Sequence, residues 1–234
     1  MFYSELTGIS TYSTAEISIR RDTALCVTGH RSKSVIPFQE NPENFEITCY
    51  TARLLLDKYI STALKKGYTT LLSGLAEGTD LWAAESMLYH KRFYTDKKLI
   101  GIMPFMKHYV GLNSKSLELL RFVERHSDLL ITTCDKVNMT YGKHNTATTN
   151  PNVYRNRNYF MVENSAAVIA FLSESNPYSG TGQTVRYAKQ LERPVYSFSI
   201  EDVHSIIEKS GFDKQDILNE VKNIIPPIEA PTSE

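Results

Sequence analysis

Residues 70–88 read TLLSGLAEGTDLWAAESML and contain one copy of the pattern that repeats along this chain. Thr70–Leu72 is a short apolar run, and Ser73–Asp80 is a turn with two glycines. The apolar residues that follow recur at the three- and four-residue spacing of a helix: Leu81, Ala84, Met87 and Leu88. A continuous apolar run of this length is typical of a strand buried on both faces of a parallel sheet. The stretch therefore predicts a strand, a turn and a helix in that order.

The same order recurs from Ala24 onwards. Six apolar runs predict strands: Ala24–Thr28, Thr70–Leu72, Leu99–Met103, Leu129–Thr132, Ala166–Leu172 and Val195–Ile200. Segments with helical spacing of apolar residues lie between the runs: 52–64, 81–88, 117–123 and 185–191. Repeated alternation of strand and helix indicates right-handed βαβ units. We therefore predict a single three-layer α/β domain with a mostly parallel sheet of at least five strands and helices on both faces.

The predicted domain occupies residues 22–200, with a shorter region on either side. Residues 1–21 are polar with weak alternation, and they predict an N-terminal arm or an added edge hairpin. The last region, 201–234, predicts two helices and an unstructured tail: helices at 201–210 and 213–225, and the tail from Pro226.

Residues 135–153 interrupt the alternation because they are polar and poor in aliphatic side chains. Loops of this length without secondary structure are uncommon in compact domains, where they serve as lids or are disordered. We expect this segment to be irregular or mobile, and the sequence leaves both interpretations open.

Composition excludes several classes of protein. The 234 residues include 26 Lys and Arg against 26 Asp and Glu, and 41% are hydrophobic, which suits an ordinary packed core. Zero net charge argues against a dedicated duplex-DNA binder, although a local basic groove remains open. The three widely spaced cysteines form neither a disulfide framework nor a CxxC metal motif. Because no signal peptide or transmembrane run is visible, we expect a cytoplasmic protein without membrane contact.

Several catalytic and cofactor motifs are absent from the sequence. It contains no GxxxxGK[ST] phosphate loop and no GxGxxG after the first strand. HExxH, Cys/His clusters and GxSxG are also missing. We therefore predict no metal and no cofactor, while a homo-oligomer remains open.

The functional signal comes from the residues that follow the predicted strands. Gly29-His30-Arg31 follows the first strand, Ser73–Asp80 the second, Pro104 the third and Ser179–Thr184 the fifth. The carboxyl ends of parallel strands share one rim, where open α/β sheets bind ligands. The candidate ligand-binding residues are those of the turns and of one donor-rich segment: Gly29, His30, Arg31, Ser73, Gly74, Glu77, Gly78, Asp80, Pro104, Arg157, Asn158, Ser179, Gly180, Thr181, Gly182 and Thr184.

The two glycine-rich turns favour an anionic ligand. Glycine lets backbone amides approach a ligand, and each turn opens a helix whose N-terminus carries partial positive charge. His30, Arg31 and Arg157 would add donors, so we expect these residues and both turns to converge on one pocket that prefers phosphorylated ligands. The alternative is that the glycines serve only the geometry of tight connections.

Individual residues also have structural interpretations. Asp80 is more simply a helix N-cap than a catalytic acid. Trp82 is expected in the core, with base stacking as the alternative, and Cys26 is expected to be buried. Glu85 is expected on a solvated or salt-bridged helix face. Arg157, with Arg155, is expected just before a helix, either as a ligand donor or in a surface salt bridge.

Four motifs in order resemble the SLOG superfamily: Thr28-Gly29-His30-Arg31, Ser73–Asp80 with Trp82-Ala-Ala-Glu85, Tyr154–Tyr159, and Ser179–Thr184 with Arg186-Tyr-Ala188. That superfamily joins the Smf/DprA DNA-processing proteins, the LOG phosphoribohydrolases and the bacterial YpsA-like proteins. The first two motifs are most similar to the YpsA-like branch. The resemblance covers residues 24–200 and implies a Rossmann-like fold with a pocket for a nucleotide-derived ligand.

The resemblance implies three alternative functions. The first is binding, for sensing or processing, of a small nucleotide-derived molecule. The second is binding of single-stranded nucleic acid, with Tyr141, Tyr154, Tyr159 and Tyr178 available for base stacking. The third is base release by a hydrolase, but Thr184 stands where the LOG branch carries a Glu. A hydrolase would then need another carboxylate, such as Asp80 or Glu85.

Overall fold

The computed structural model describes residues 1–32, 42–172 and 179–232. Its strands are β1 (Phe2–Tyr3), β2 (Ser10–Ser13), β3 (Ala24–Gly29), β4 (Thr70–Ser73), β5 (Lys98–Met103), β6 (Leu129–Thr132), β7 (Thr140–Tyr141), β8 (Thr149–Asn150), β9 (Ala167–Leu172) and β10 (Val195–Ser199). Its α-helices are α1 (Pro42–Lys65), α2 (Thr79–Lys91), α3 (Ser114–His126), α4 (Val153–Glu163), α5 (Gly180–Gln190), α6 (Ile200–Lys209) and α7 (Lys214–Asn223).

Among the described residues, eight strands form one sheet in the order β1-β2-β6-β5-β4-β3-β9-β10. Strand β1 is antiparallel to β2, and every other neighbouring pair in this sheet is parallel. In the centre, Cys26 of β3 lies opposite Leu72 of β4 and Val168 of β9. The sheet follows the predicted β-strands closely and confirms the three-layer, Rossmann-like α/β fold.

Alternate residues of the central strands pack on opposite faces of the sheet. Leu25 and Val27 of β3 belong to the larger core cluster, which also contains side chains of α1, α2, α3, α6 and α7. Cys26 points to the other face, where Met161 of α4 and Ala188 of α5 cover it. Continuous apolar strands are therefore required because both faces are covered. Cys26 is fully buried, as expected, and burial raises the pKa of its thiol to about 12.

The N-terminal residues extend the sheet at one edge. Strand β2 pairs with β6 in parallel, with Tyr12 opposite Ile131, and β1 returns along β2. The arrangement matches the edge-hairpin alternative for residues 1–21.

The C-terminal tail forms no helix or strand over residues 224–232, and it packs on the domain. Both predicted C-terminal helices form, as α6 and α7. Beyond them, Ile228 is 3% exposed and joins the larger core cluster. The backbone amide of Glu229 donates a hydrogen bond of 3.2 Å to the Tyr196 hydroxyl. Ile228 and this hydrogen bond attach the tail to the domain.

Residues 135–153 are irregular, as predicted, apart from the short parallel pair of β7 and β8. Backbone hydrogen bonds tie the loop together, including Thr140 N–H to the Thr148 carbonyl at 3.0 Å. Among the helices of the described segments, none is long and apolar enough to span a bilayer.

Candidate functional site

The turns after β3 and β4 pack directly on one another at the carboxyl rim of the sheet. The backbone N–H and the hydroxyl of Thr79 both donate to the His30 carbonyl, at 3.3 and 2.9 Å. Gly78 has a φ of +93°, and a Cβ there would lie 2.7 Å from the His30 oxygen. A Cβ on Gly29 would lie 2.4 Å from the Thr79 hydroxyl oxygen. Gly29 and Gly78 therefore allow the two turns to contact each other closely. The same contact engages the Thr79 amide in a hydrogen bond.

A buried ion pair crosses the second of these turns. The Arg157 Nη1 donates to the Asp80 Oδ2 at 2.9 Å, and the two side chains are 5% and 9% exposed. Gly74 provides the space, because a Cβ there would lie 1.3 Å from Arg157 Nη1. Burial raises the pKa of the Asp80 carboxyl, and the Arg157 guanidinium offsets part of that rise.

Three expectations about these residues are wrong. Gly78 is the N-cap of α2, so Asp80 lies in the first turn of the helix and uses its carboxylate for Arg157. Arg157, with Arg155, lies inside α4 rather than before a helix. Arg157 makes a buried ion pair, so the surface salt-bridge interpretation also fails for it. Its partner lies 77 residues earlier in the chain, and no local pattern indicates the pairing.

Ser73 stabilises the turn after β4 through two hydrogen bonds of its hydroxyl. Its hydroxyl donates to the Asp80 carbonyl at 2.8 Å and accepts from the Leu75 amide at 3.2 Å. Leu75 adopts a φ of +56°, a left-handed conformation that a non-glycine residue rarely takes. The buried Leu75 side chain and these two hydrogen bonds hold the turn in that conformation.

A cavity of about 80 Å³ opens beside this turn. Five of the candidate residues line it: Arg31, Gly74, Glu77, Pro104 and Arg157. The other described lining residues are Leu75, Ala76, His108, Val110, Gly111, Leu112 and Tyr154. The sequence reasoning missed His108, whose position after β5 was the available signal. We call this space the rim cavity.

The charges around the rim cavity are mixed. Arg31 is exposed, whereas Arg157 is buried and paired with Asp80. The Ser32 hydroxyl donates to the Glu77 carboxylate, which holds that side chain beside the first turn. His30 contributes its carbonyl to the turn contact, and burial lowers the pKa of its imidazole.

The turn from Ser179 to Thr184 lies at the same rim, but none of its residues is among the described residues that line the rim cavity. The Ser179 hydroxyl accepts from the Gly182 amide at 3.0 Å and caps α5. Thr184 and Thr181 are buried, and the Thr184 hydroxyl donates to the Gly180 carbonyl at 2.8 Å. Asn158 of α4 donates to the Thr184 Oγ1 at 2.9 Å. Helix α4 thus contacts both turns through consecutive residues.

Aromatic side chains lie next to the rim cavity. The Tyr154 ring centroid is 5.7 Å from that of Phe105 and 5.5 Å from that of Tyr141, whose side chain is 53% exposed. Elsewhere, Tyr159 stacks on Tyr187 at 3.8 Å. The expectation for Tyr178 lies outside the described residues.

The remaining expectations concern α2. Trp82 packs partly buried against the larger core cluster, as expected. Glu85 forms an ion pair with Arg53, which confirms a salt-bridged face.

Within the described ranges, no group of three or more His, Cys, Asp and Glu side chains is arranged to hold a metal ion.

A comparison with protein-family models matches residues 25–205 to the YspA SLOG family, the model named YpsA. This chain belongs to the YspA SLOG family. The matched region of this SLOG protein runs from β3 into α6 and includes both glycine-rich turns, while β1, β2 and α7 lie outside it. The match confirms the resemblance that the sequence motifs indicated.

Two curated relatives of this SLOG protein are UPF0398 proteins from Bacillus. The one from Bacillus velezensis is 23% identical over 195 residues, which is 80% of this chain and 97% of the relative. The one from Bacillus licheniformis is 20% identical over 191 residues, with the same coverage of both chains.

Proposed function

We propose that this SLOG protein binds a small phosphorylated, nucleotide-derived ligand at the rim cavity. The observation that carries the proposal is that two arginines, Arg31 and Arg157, line the same cavity as Gly74 of the glycine-containing turn. Guanidiniums match phosphate oxygens in geometry and charge. The location at the carboxyl ends of parallel strands is where open α/β sheets bind ligands.

The size of the cavity limits what enters it. Small-molecule sites commonly measure roughly 300–1,000 Å³, whereas the rim cavity measures about 80 Å³. The cavity therefore suits one group of a ligand, and we assign it the phosphate. The remainder of the ligand would lie towards Tyr154 and the exposed ring of Tyr141, which offer aromatic surface for a base.

An unsatisfied donor supports this placement. Arg157 Nε is buried, and within the described part of the chain it has no hydrogen-bond partner. A buried polar group without a partner costs about 1–3 kcal/mol. Arg157 is one of the residues that line the rim cavity, and a ligand oxygen that reached its Nε there would remove that cost.

The direct test is calorimetric titration of AMP and adenosine, which differ only in the phosphate. We expect AMP to bind and adenosine to bind at least tenfold more weakly. Arg31→Gln should weaken AMP binding about tenfold, the lower end of the range for a lost charge-assisted hydrogen bond. Arg53→Gln is the matched control, because Arg53 pairs with Glu85 away from the lining residues. Equal affinity for both ligands would refute the phosphate assignment.

Single-stranded nucleic acid is the second candidate, favoured by the neighbouring rings of Tyr141 and Tyr154. An oligothymidine would then bind with a log–log salt slope near −0.7 for each phosphate neutralised. Strong, salt-dependent oligonucleotide binding without AMP affinity would favour this candidate. Tyr141→Ala should weaken it by about 1–3 kcal/mol if a base stacks there.

A base-releasing hydrolase has less support. Thr184 supplies a hydroxyl rather than a carboxylate, and that hydroxyl is engaged by Asn158 and the Gly180 carbonyl. The alternative carboxylates are also engaged, Asp80 by Arg157 and Glu85 by Arg53.

A further inference from the structure

His108 is a buried titratable side chain that no sequence motif identified. It lies between β5 and α3, lines the rim cavity and is 4% exposed. Its Nε2 lies 3.9 Å from the Oε1 of Glu124, too far for a hydrogen bond. Neither atom has a hydrogen-bond partner among the residues described. The pair is therefore close enough to interact electrostatically but incompletely joined.

Glu124 is held from the other side by the N-terminal segment. Its side chain is 1% exposed, and its Oε2 accepts hydrogen bonds of 2.6 Å from both the Ser4 and the Thr7 hydroxyls. Ser4 and Thr7 lie between β1 and β2, outside the region that matches the family. A continuous set of contacts thus runs from the N-terminal segment through Glu124 to the imidazole at the cavity.

The groups that face His108 act in opposite directions. Burial lowers the pKa of the His108 imidazole, Glu124 raises it, and Arg157 lowers it further. Burial alone would raise the pKa of Glu124, but His108 and the two hydroxyls hold it below its ordinary value. Two further charged residues, Arg31 and Glu77, line the same cavity. The Nζ of Lys107, the residue before His108, lies 3.7 Å from the Oε2 of Glu5. Burial outweighs the effect of Glu124, so the pKa of the His108 imidazole lies below its ordinary value in the free protein.

We propose that His108 contacts the anionic group of the ligand and takes up a proton from solvent when the ligand binds, with Glu124 as its positioning residue. This inference rests on the proposed function. Because Nε2 faces Glu124, the ring would contact the ligand through its other nitrogen, Nδ1. A phosphate at the cavity adds negative charge beside the ring and so favours the imidazolium. The positively charged ring then interacts favourably with both the ligand and the Glu124 carboxylate.

The sign of the pH dependence follows. Because the ligand raises the pKa of His108 above its value in the free protein, this residue takes up protons on binding, and its contribution to the affinity grows as pH falls. The added affinity is complete below the free-state pKa and is lost as pH rises through the ligand-bound pKa. Between the two values the affinity changes by at most about tenfold per pH unit.

The first experiment is an NMR titration of the six histidine rings, with and without AMP. His108→Gln assigns the resonance. We expect His108 to titrate below 6.5, the ordinary value, in the free protein and at higher pH with AMP bound. Glu124→Gln should lower the pKa of His108 in both states, because it removes the charge and keeps a hydrogen-bonding side chain. An unchanged pKa in this variant would exclude the positioning role.

The second experiment measures proton uptake by titrating AMP calorimetrically near pH 6.5 in two buffers with different heats of ionisation. Because the phosphate of AMP also titrates near pH 6, about half a unit below the pH of the measurement, the readout is the difference between variants. Wild type should take up more protons than His108→Gln, and Ser4→Ala with Thr7→Ala should reduce that difference. His126→Gln is the matched control, since His126 is exposed at the end of the helix that carries Glu124. Circular dichroism melts verify that each variant folds.

The outcomes separate this inference from the proposed function. AMP binding with the same proton uptake in wild type and His108→Gln, or with an unchanged pKa of His108, overturns the inference and leaves the phosphate site intact. No AMP binding at all would overturn both. If His108→Gln fails to fold, replacing the other five histidines one at a time assigns the His108 resonance by elimination, and its pKa in wild type and in Glu124→Gln still decides the question.

Discussion

The two glycine-rich turns at the rim look alike in sequence and differ in structure. At the turn after β4, protein atoms occupy the space beside Gly74 and Gly78. At the turn before α5, a Cβ on Gly180 would meet no described atom within 4 Å. The turn after β4 therefore needs glycine for packing, whereas a side chain at Gly180 would have open space. A glycine-rich turn before a helix thus has two physical explanations, and only the atoms around it distinguish them.

The largest expected effect is at the Arg157–Asp80 ion pair beside the turn after β4. Arg157→Met should destabilise the protein by about 3–5 kcal/mol, because it leaves the Asp80 carboxylate buried without its partner. The measurement is urea unfolding at pH 7. Since burial raises the pKa of Asp80 in the folded state, stability from that group falls as pH rises. The loss should therefore be smaller at pH 4 than at pH 8, and an equal loss would contradict this account.

The second effect compares the glycines directly. Gly74→Ala should destabilise by about 2–3 kcal/mol, the upper part of the range for overpacking, because its Cβ must displace the Arg157–Asp80 pair. Gly180→Ala is the matched control, at the first residue of α5 with space for a methyl group. It should be neutral or stabilise the protein by up to about 1 kcal/mol. Similar unfolding midpoints for the two variants would remove the distinction between the turns.

The third effect concerns the link from α4 to the second turn. Asn158→Ala removes one partly buried hydrogen bond to Thr184 and should cost about 1 kcal/mol. The adjacent Arg157→Met should cost at least twice as much in the same unfolding assay. Equal losses would mean that α4 holds the two turns with similar strength.

The smallest expected effect is the absence of a reaction. We expect no base release from AMP, GMP, CMP or UMP, because the neutral Thr184 hydroxyl supplies no charge to a cationic transition state. Chromatography of the products checks this. Turnover of about 1 per second or faster, the ordinary enzyme range, would show that another carboxylate acts.

The elements that the sequence predicted well are those with a local pattern. The predicted strand at Leu129–Thr132 has the same bounds as β6, and α2 covers the predicted helix at 81–88. The salt-bridged Glu85 was also predictable, because helical spacing places it on an outer face. The long helix α1 was predicted only from residue 52, although it begins at Pro42. Its first turns lack the strong apolar spacing of its later part.

The sequence by itself determined the α/β architecture, the rim at which the unusual residues gather and the family, because each depends on short patterns or on motifs in order. Only the tertiary structure decided what those residues contact. Asp80 finds Arg157 across 77 residues, and Ser4 finds Glu124 across 120. Such pairs leave no trace in local spacing, since a buried charge or hydroxyl is satisfied by whichever partner the packed elements bring within hydrogen-bond distance.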